Sequence, residues 1–159
     1  MNKITAQYDK TKYWSVKHPC VFIDDERLDI VIDRIKPENN YRDLIPTLLS
    51  DLEDEKESEL VWSRILPENG NSLLPILMCP DDVDLACTLI ITEVSITQDS
   101  VIWKNFGLDM SYDEEDKYPG YIGNEVEWFT QNLRLEFPKE QYIEMIRLFQ
   151  NEIDGNENE

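Results

Sequence analysis

One histidine, His18, is the whole imidazole content of this chain. A Ser–His or Cys–His nucleophile would have to be built on it. No pattern around it places a nucleophile at its side, so a hydrogen-bonded structural histidine is expected. Glycine is scarce too. Gly70, Gly107, Gly120, Gly123 and Gly155 stand apart, so no glycine-rich loop cradles a phosphate. Neither G-x-x-x-x-G-K-[ST], G-x-S-x-G nor H-E-x-x-H occurs. No apolar run approaches the roughly 18 residues that would span a bilayer. The opening MNKITAQYDKTKYW lacks the apolar stretch of a signal peptide. A cytoplasmic protein is therefore expected.

The three cysteines, Cys20, Cys79 and Cys87, are an odd number, which fits reduced thiols. With His18 they total one Cys3His set, but His18-x-Cys20 is too tight, and Cys79 and Cys87 lack C-x2-4-C spacing. Cys87 lies in an apolar run and reads as a small core residue. The expectation is no catalytic set, no cofactor and no metal.

Positive charge is the other shortage. Lys and Arg number 15 against 34 Asp and Glu, a net charge of -19 over 159 residues. A small domain stays soluble with a net charge of about 2–8 in magnitude, and a larger excess repels itself within the compact state. Such a balance excludes direct nucleic-acid binding and argues against an anionic membrane surface. It suits a chain that fends off nucleic acid or captures something strongly basic. Hydrophobic residues still make up 41% of the sequence, too many for a disordered chain. The length predicts one domain over 1–159, with a core large enough to need no staples. Residues 1–12 read as a flexible arm or weak edge element, and 154–159 as a disordered acidic tail.

The periodicities predict an α+β fold: an antiparallel meander of about five strands with two or three helices on one face. A strand is expected at 20–24. A helix follows at 25–35, with Asp24 and Asp25 as cap candidates, Leu28, Val31, Ile32 and Ile35 as its stripe, and Pro37 as its stop. A further helix is expected at 44–53, from Leu44, Ile45, Leu48, Leu49 and Leu52, capped by Asp43. ELVWSRIL (59–66) alternates like a strand and, through Asn69-Gly70, would form a hairpin with LLPILMC (73–79). Pro75 marks an edge or a bulge there. LACTLIITEVSIT (85–97) and VIWKNFGLDM (101–110) form a second hairpin. A surface loop covers 111–124, a last strand 125–137, and a helix starts at Pro138 with Tyr142, Ile146, Phe149 and Ile153 inward. Pro80-Asp81-Asp82-Val83-Asp84 looks superficially like a calcium loop but lacks its glycine and closing glutamate. It reads as a turn between strands.

Two acidic clusters are the candidate binding residues. One is Asp109, Asp113, Glu114, Glu115 and Asp116 among Tyr112, Tyr118 and Tyr121. Tyrosines are favoured anchors at interfaces, and carboxylates around them would pair with Lys or Arg. The other is Asp51, Glu53, Asp54, Glu55, Glu57 and Glu59, a secondary candidate.

The stretch from LVWSRILPE through LPILMCPDDVDLACTLIITEV to VIWKNFGLD resembles bacterial immunity proteins of polymorphic and contact-dependent toxin systems. The likeness is also one of type: an acidic α+β domain with acid-and-tyrosine loops. It implies a cytoplasmic protein that binds one cognate toxin domain, often a basic nuclease, and blocks it at or beside the active site. It assigns no individual residue. Two other classes remain open from sequence: a DNA mimic that inhibits a nucleic-acid-binding protein, and a small ligand-binding domain whose acidity is incidental. A mimic needs acids spread along an extended face, whereas these bunch in loops.

Overall fold

The structure is a computed structural model that describes residues 1–113 and 116–157. Its architecture is α+β. A three-stranded antiparallel sheet has the order β1 (Ile4–Asp9), β2 (His18–Ile23), β3 (Glu26–Arg27). A six-stranded sheet runs β4 (Ile45–Pro46), β5 (Asn71–Met78), β6 (Leu89–Ile96), β7 (Ser100–Asp109), β8 (Val126–Trp128), and β9 (Leu135–Pro138) also pairs β7. Three helices complete it: α1 (Leu28–Ile35), α2 (Glu55–Ile65) and α3 (Lys139–Glu157). The expected meander is present in β4–β8, all antiparallel.

Residues 4–9 are a paired strand, β1, in register with β2 from Ile4↔Ile23 to Asp9↔His18. Asp24 and Asp25 have left-handed backbones (φ 50° and 68°) and make the tight turn into β3. They do not cap α1, which begins three residues later than expected because Glu26 and Arg27 pair with β2. The expected stripe holds in part, with Leu28 and Ile32 buried.

Two predicted elements change type. No helix forms at 44–53. Asp43 has φ 71°, outside the range of a cap. Ile45 and Pro46 pair with Met78 and Leu77. Thr47 then donates its hydroxyl to Pro75 O at 2.6 Å and its N–H to Ile76 O at 3.0 Å. The apolar residues chosen for that helix are nonetheless all buried. Conversely, 59–66 is not a strand but most of α2. Asp54 caps it by accepting from Glu57 N–H at 3.0 Å. Glu57, Val61 and Ile65 bury a face at fourfold spacing. The alternation of Leu60, Trp62 and Arg64 was a coincidence of a partly covered helix. Asn69-Gly70 therefore links α2 to β5, with Gly70 at φ +88°.

Pro75 sits at an irregularity in the β5–β6 register, as expected of a proline inside a strand. The last strand is two pieces, not one. β8 pairs residues 107–109 of β7 and β9 pairs 100–103. Between them Phe129 leaves the sheet to stack on Tyr41, with ring centroids 5.8 Å apart. Gly107 permits β8 to close on β7: a Cβ there would meet Glu127 O and Val126 Cγ1 at 2.7 Å. Helix α3 starts at Lys139, one residue after Pro138, and buries Tyr142, Ile146 and Phe149. Tyr142 donates to Ile65 O at 2.5 Å and accepts from Trp103 Nε1–H at 3.4 Å. One aromatic knot thus ties α3 to β7 and to the end of α2.

Candidate functional site: an acidic cleft

Much of the acidity holds the chain together. Arg27 makes a bidentate pair with the buried Asp29 at 2.6 and 2.9 Å and also reaches Asp9 and Asp43 at 3.2 and 3.3 Å. Hydrogen bonding to Asp29, against the opposing effect of burial and reinforced by the charges of Asp29 and Asp9, raises the Arg27 pKa above its ordinary value. Asp24 accepts from Lys3 N–H and from Asn2, which hold its carboxyl below the usual carboxylate range. Asp33 accepts from Tyr41 N–H. These acids are joints of the fold.

A different set is gathered without a cation. A cleft of about 610 Å³ opens where α2 begins, between the 47–54 segment, the β5–β6 loop and the loop after β7. Asp51, Glu53, Asp54 and Glu57 line one side, Asp82 and Asp84 the other. Trp14 and Tyr118 supply aromatic walls. No Lys or Arg is among its described lining residues. Two larger grooves, one between β1 and α3 and one beside residues 122–124, mix acids with Arg147 or Arg64 and gather no such set.

Glu57 is the centre of the cleft. It is only 2% exposed. Its Oε2 accepts from Leu85 N–H at 2.9 Å and from the Tyr118 hydroxyl. Burial raises its pKa above the ordinary glutamate value. The Leu85 hydrogen bond opposes that rise, and the charges of Asp54 and Asp84 add to it. Asp54 is held by its capping bond, and Asp84 Oδ1 accepts from Ala86 N–H at 3.0 Å. Trp14 is fixed by its Nε1–H bond to Pro80 O at 3.2 Å and by edge-on contact with His18, centroids 5.1 Å apart. The carboxylates thus stand on braced backbone around a half-desolvated centre. Such a hollow suits an ammonium or guanidinium group, which would relieve the mutual repulsion and face two aromatic rings.

The structure divides both predicted clusters. From the first, Tyr118 enters the cleft, stacking obliquely on Tyr121 at 5.7 Å. Tyr121 is half-buried against the core. Burial, with the charges of Asp113, Asp109 and Glu57, raises its pKa. Asp109 turns inward to accept from Ser111 Oγ and Gly123 N–H. Asp113 accepts from Lys117 N–H and Tyr118 N–H, a turn-forming role. Asp116, at φ 56°, and Tyr112, 66% exposed, point to solvent. Glu114 and Glu115 lie outside the described residues. The far end of this loop is clamped by Arg64, which donates to Ile122 O, Leu73 O and Gly120 O. Burial lowers the Arg64 pKa. Of the second cluster, Asp51, Glu53, Asp54 and Glu57 reach the cleft, while Glu55 and Glu59 face a separate hollow near Ile153.

Sequence reasoning missed Trp14, Asp82 and Asp84 as members of this site. The run Asp81–Asp84 was visible as a turn between strands, which it is. Its convergence on the start of α2 depends on the Leu85–Glu57 bond, which spans 28 residues. The cysteines were also partly misjudged. Cys87 is exposed, and the buried thiol is Cys20. His18 is the hydrogen-bonded histidine expected, with Cys20 Sγ 3.5 Å from its Nδ1. Burial nevertheless pushes that thiol up to about 12, with Arg27 opposing and Asp29 and Asp9 reinforcing. It is thus held protonated, the reverse of an activated thiolate.

Comparisons with protein-family models, curated proteins and solved structures return no match to this chain. Among the described residues no helix is long and apolar enough to cross a membrane.

Proposed function

We propose that this chain is an immunity protein: it binds a cognate basic toxin domain, of the nuclease type, and blocks it at or beside its active site. The observation that supports this reading is the cleft itself. Five carboxylates from two chain segments, residues 51–54 and the β5–β6 loop, surround the buried Glu57 with no cation of their own among the described lining residues. A lysine or arginine that holds phosphate in a nuclease matches that hollow in charge. The two aromatic walls add cation–π attraction, about 0.5–2 kcal/mol depending on desolvation. A concave cleft also differs from the extended ridge of acids that a DNA mimic requires.

The partner is sought by pull-down with the purified chain and by expressing the polypeptide encoded beside it. A stoichiometric basic partner whose activity is blocked is the expected result. The triple variant Asp51→Asn, Glu53→Gln, Asp84→Asn is expected to fold and to lose affinity. For the intact chain, association slows steeply as salt rises while dissociation changes little. A partner that binds the triple variant at full strength, or a salt-independent association rate, removes the cleft from the interface.

A further inference from the structure

The loop between β5 and β6 carries a second, chemically distinct feature. The two strands stay paired out to Met78↔Leu89. Cys79 therefore leaves the sheet beside the point where Cys87 and Thr88 return to it. Val83 N–H bonds back to Cys79 O at 3.3 Å, curling the chain so that Asp82 comes round to the same place. As a result the two Sγ atoms and a carboxylate oxygen of Asp82 all lie within 4.8 Å of one another. Cys79 is half-buried, and Asp82 and Cys87 are exposed. The loop is braced from outside this group, at Pro80 O by Trp14 and at Leu85 N–H by Glu57. Its shape does not depend on anything the three side chains bind.

We propose that Cys79, Asp82 and Cys87 form a binding site for a thiophilic divalent cation of the zinc type. Zinc bonds to sulfur at about 2.3 Å and to carboxylate oxygen at about 2.0–2.2 Å in tetrahedral geometry. That geometry places donor atoms roughly 3.5–3.8 Å apart, so side-chain rotation closes the present spacing without rebuilding the backbone. Two sulfur donors select against magnesium and calcium, which take oxygen ligands. Three protein donors leave a fourth position open to water or to a donor from a bound partner. The balance is simple: the cation and two thiols beside one carboxylate give a bis-thiolate complex and two released protons, with no change in oxidation state. The seven residues between Cys79 and Cys87 exceed the usual ligand spacing in sequence, and strand pairing makes them neighbours. Cys20, buried beside His18, takes no part. Asp82 also lines the acidic cleft, so a bound cation would fix one rim of it. The site stands on its own geometry and does not need the immunity reading.

The full chain, reduced with a phosphine, is titrated with cadmium, whose thiolate charge-transfer absorbance reports sulfur ligation. It is then titrated with zinc against a chromophoric chelator. One equivalent per chain is expected, with proton release in weakly buffered solution. Cys79→Ser and Cys87→Ser each diminish the cadmium band by half or more, and Cys20→Ala retains it. Asp82→Asn weakens zinc by about tenfold or more, at least what loss of an outer-shell partner costs. Circular dichroism checks that each variant is folded, and Cys87→Ser, at an exposed position, carries the test if another variant is not. No stoichiometric band in the intact chain overturns the proposal, as does a band undiminished in Cys87→Ser. A Cys79–Cys87 disulfide formed in air, found by mass spectrometry together with no cation uptake by the reduced chain, also overturns it.

Discussion

Replacing Arg27 with methionine is expected to be among the most damaging single changes in the protein, although Arg27 does not line the acidic cleft. All five guanidinium N–H groups are placed: two on Asp29, and one each on Asp9, Asp43 and Lys10 O. Its side chain is 12% exposed and that of Asp29 only 1%. Methionine keeps the apolar stem and removes the charge. Asp29 would then be a buried carboxylate whose remaining bond shown here is the 2.6 Å contact from Asp43 N–H. Removing one partner of such a buried pair costs about 3–5 kcal/mol. The contact to Asp9, whose side chain is 42% exposed, adds at most a few tenths after solvent screening. A loss of about 4 kcal/mol against a urea slope of about 2 kcal/mol per molar lowers the unfolding midpoint by roughly 2 M. Urea denaturation followed by tryptophan fluorescence measures it. If the cost is uncompensated charge, adding Asp29→Asn to Arg27→Met recovers a large part of the loss, because asparagine can still accept from Asp43 N–H. A loss under about 1 kcal/mol would mean the cluster is a solvated surface arrangement. A full loss with no recovery in the double variant would assign the effect to the lost guanidinium bonds to Asp9, Asp43 and Lys10 O.

Three other outcomes follow from the geometry. Glu57→Gln removes an acid whose pKa is raised on folding. Such a group favours the folded state most when protonated, and that contribution is lost as pH rises through the folded pKa. The stability of Glu57→Gln relative to the intact chain should therefore increase from acid toward neutral pH in thermal melts, and a flat difference contradicts the assignment. Gly107→Ala drives a Cβ to within 2.7 Å of Glu127 O, a clash with backbone that should cost about 1–3 kcal/mol and loosen β8 in hydrogen exchange. Tyr142→Phe leaves the buried Ile65 carbonyl without its 2.5 Å donor, and urea unfolding should show a loss of about 1–3 kcal/mol.

The hairpin β6–β7, the irregularity at Pro75 and the inward face of α3 were legible because each is written in local chemistry. A β-branched run, a proline without an N–H and an apolar residue each turn carry their meaning within a few positions. Segment 44–53 was legible as core but not as structure. Leu44, Ile45, Leu48, Leu49 and Leu52 belong to the interior under any backbone. What decided against a helix was pairing with β5, some 30 residues away. In α2 the signal was present and outweighed: Asp54 and Glu57 have the spacing of a capped helix start, while the alternation of 59–66 argued for a strand. Only packing of Val61 and Ile65 under β5 separates the two. The acidic excess was plain in the composition, yet composition cannot divide joints from site. Asp29 is neutralised by an arginine two residues away, whereas Glu57, Asp84 and Tyr118 meet through contacts 27 to 61 residues apart along the chain. Charge is a property of residues and adds along a sequence. A field focused in a cleft is a property of their positions, and those are decided by which strands pair and where the loops between them are pinned.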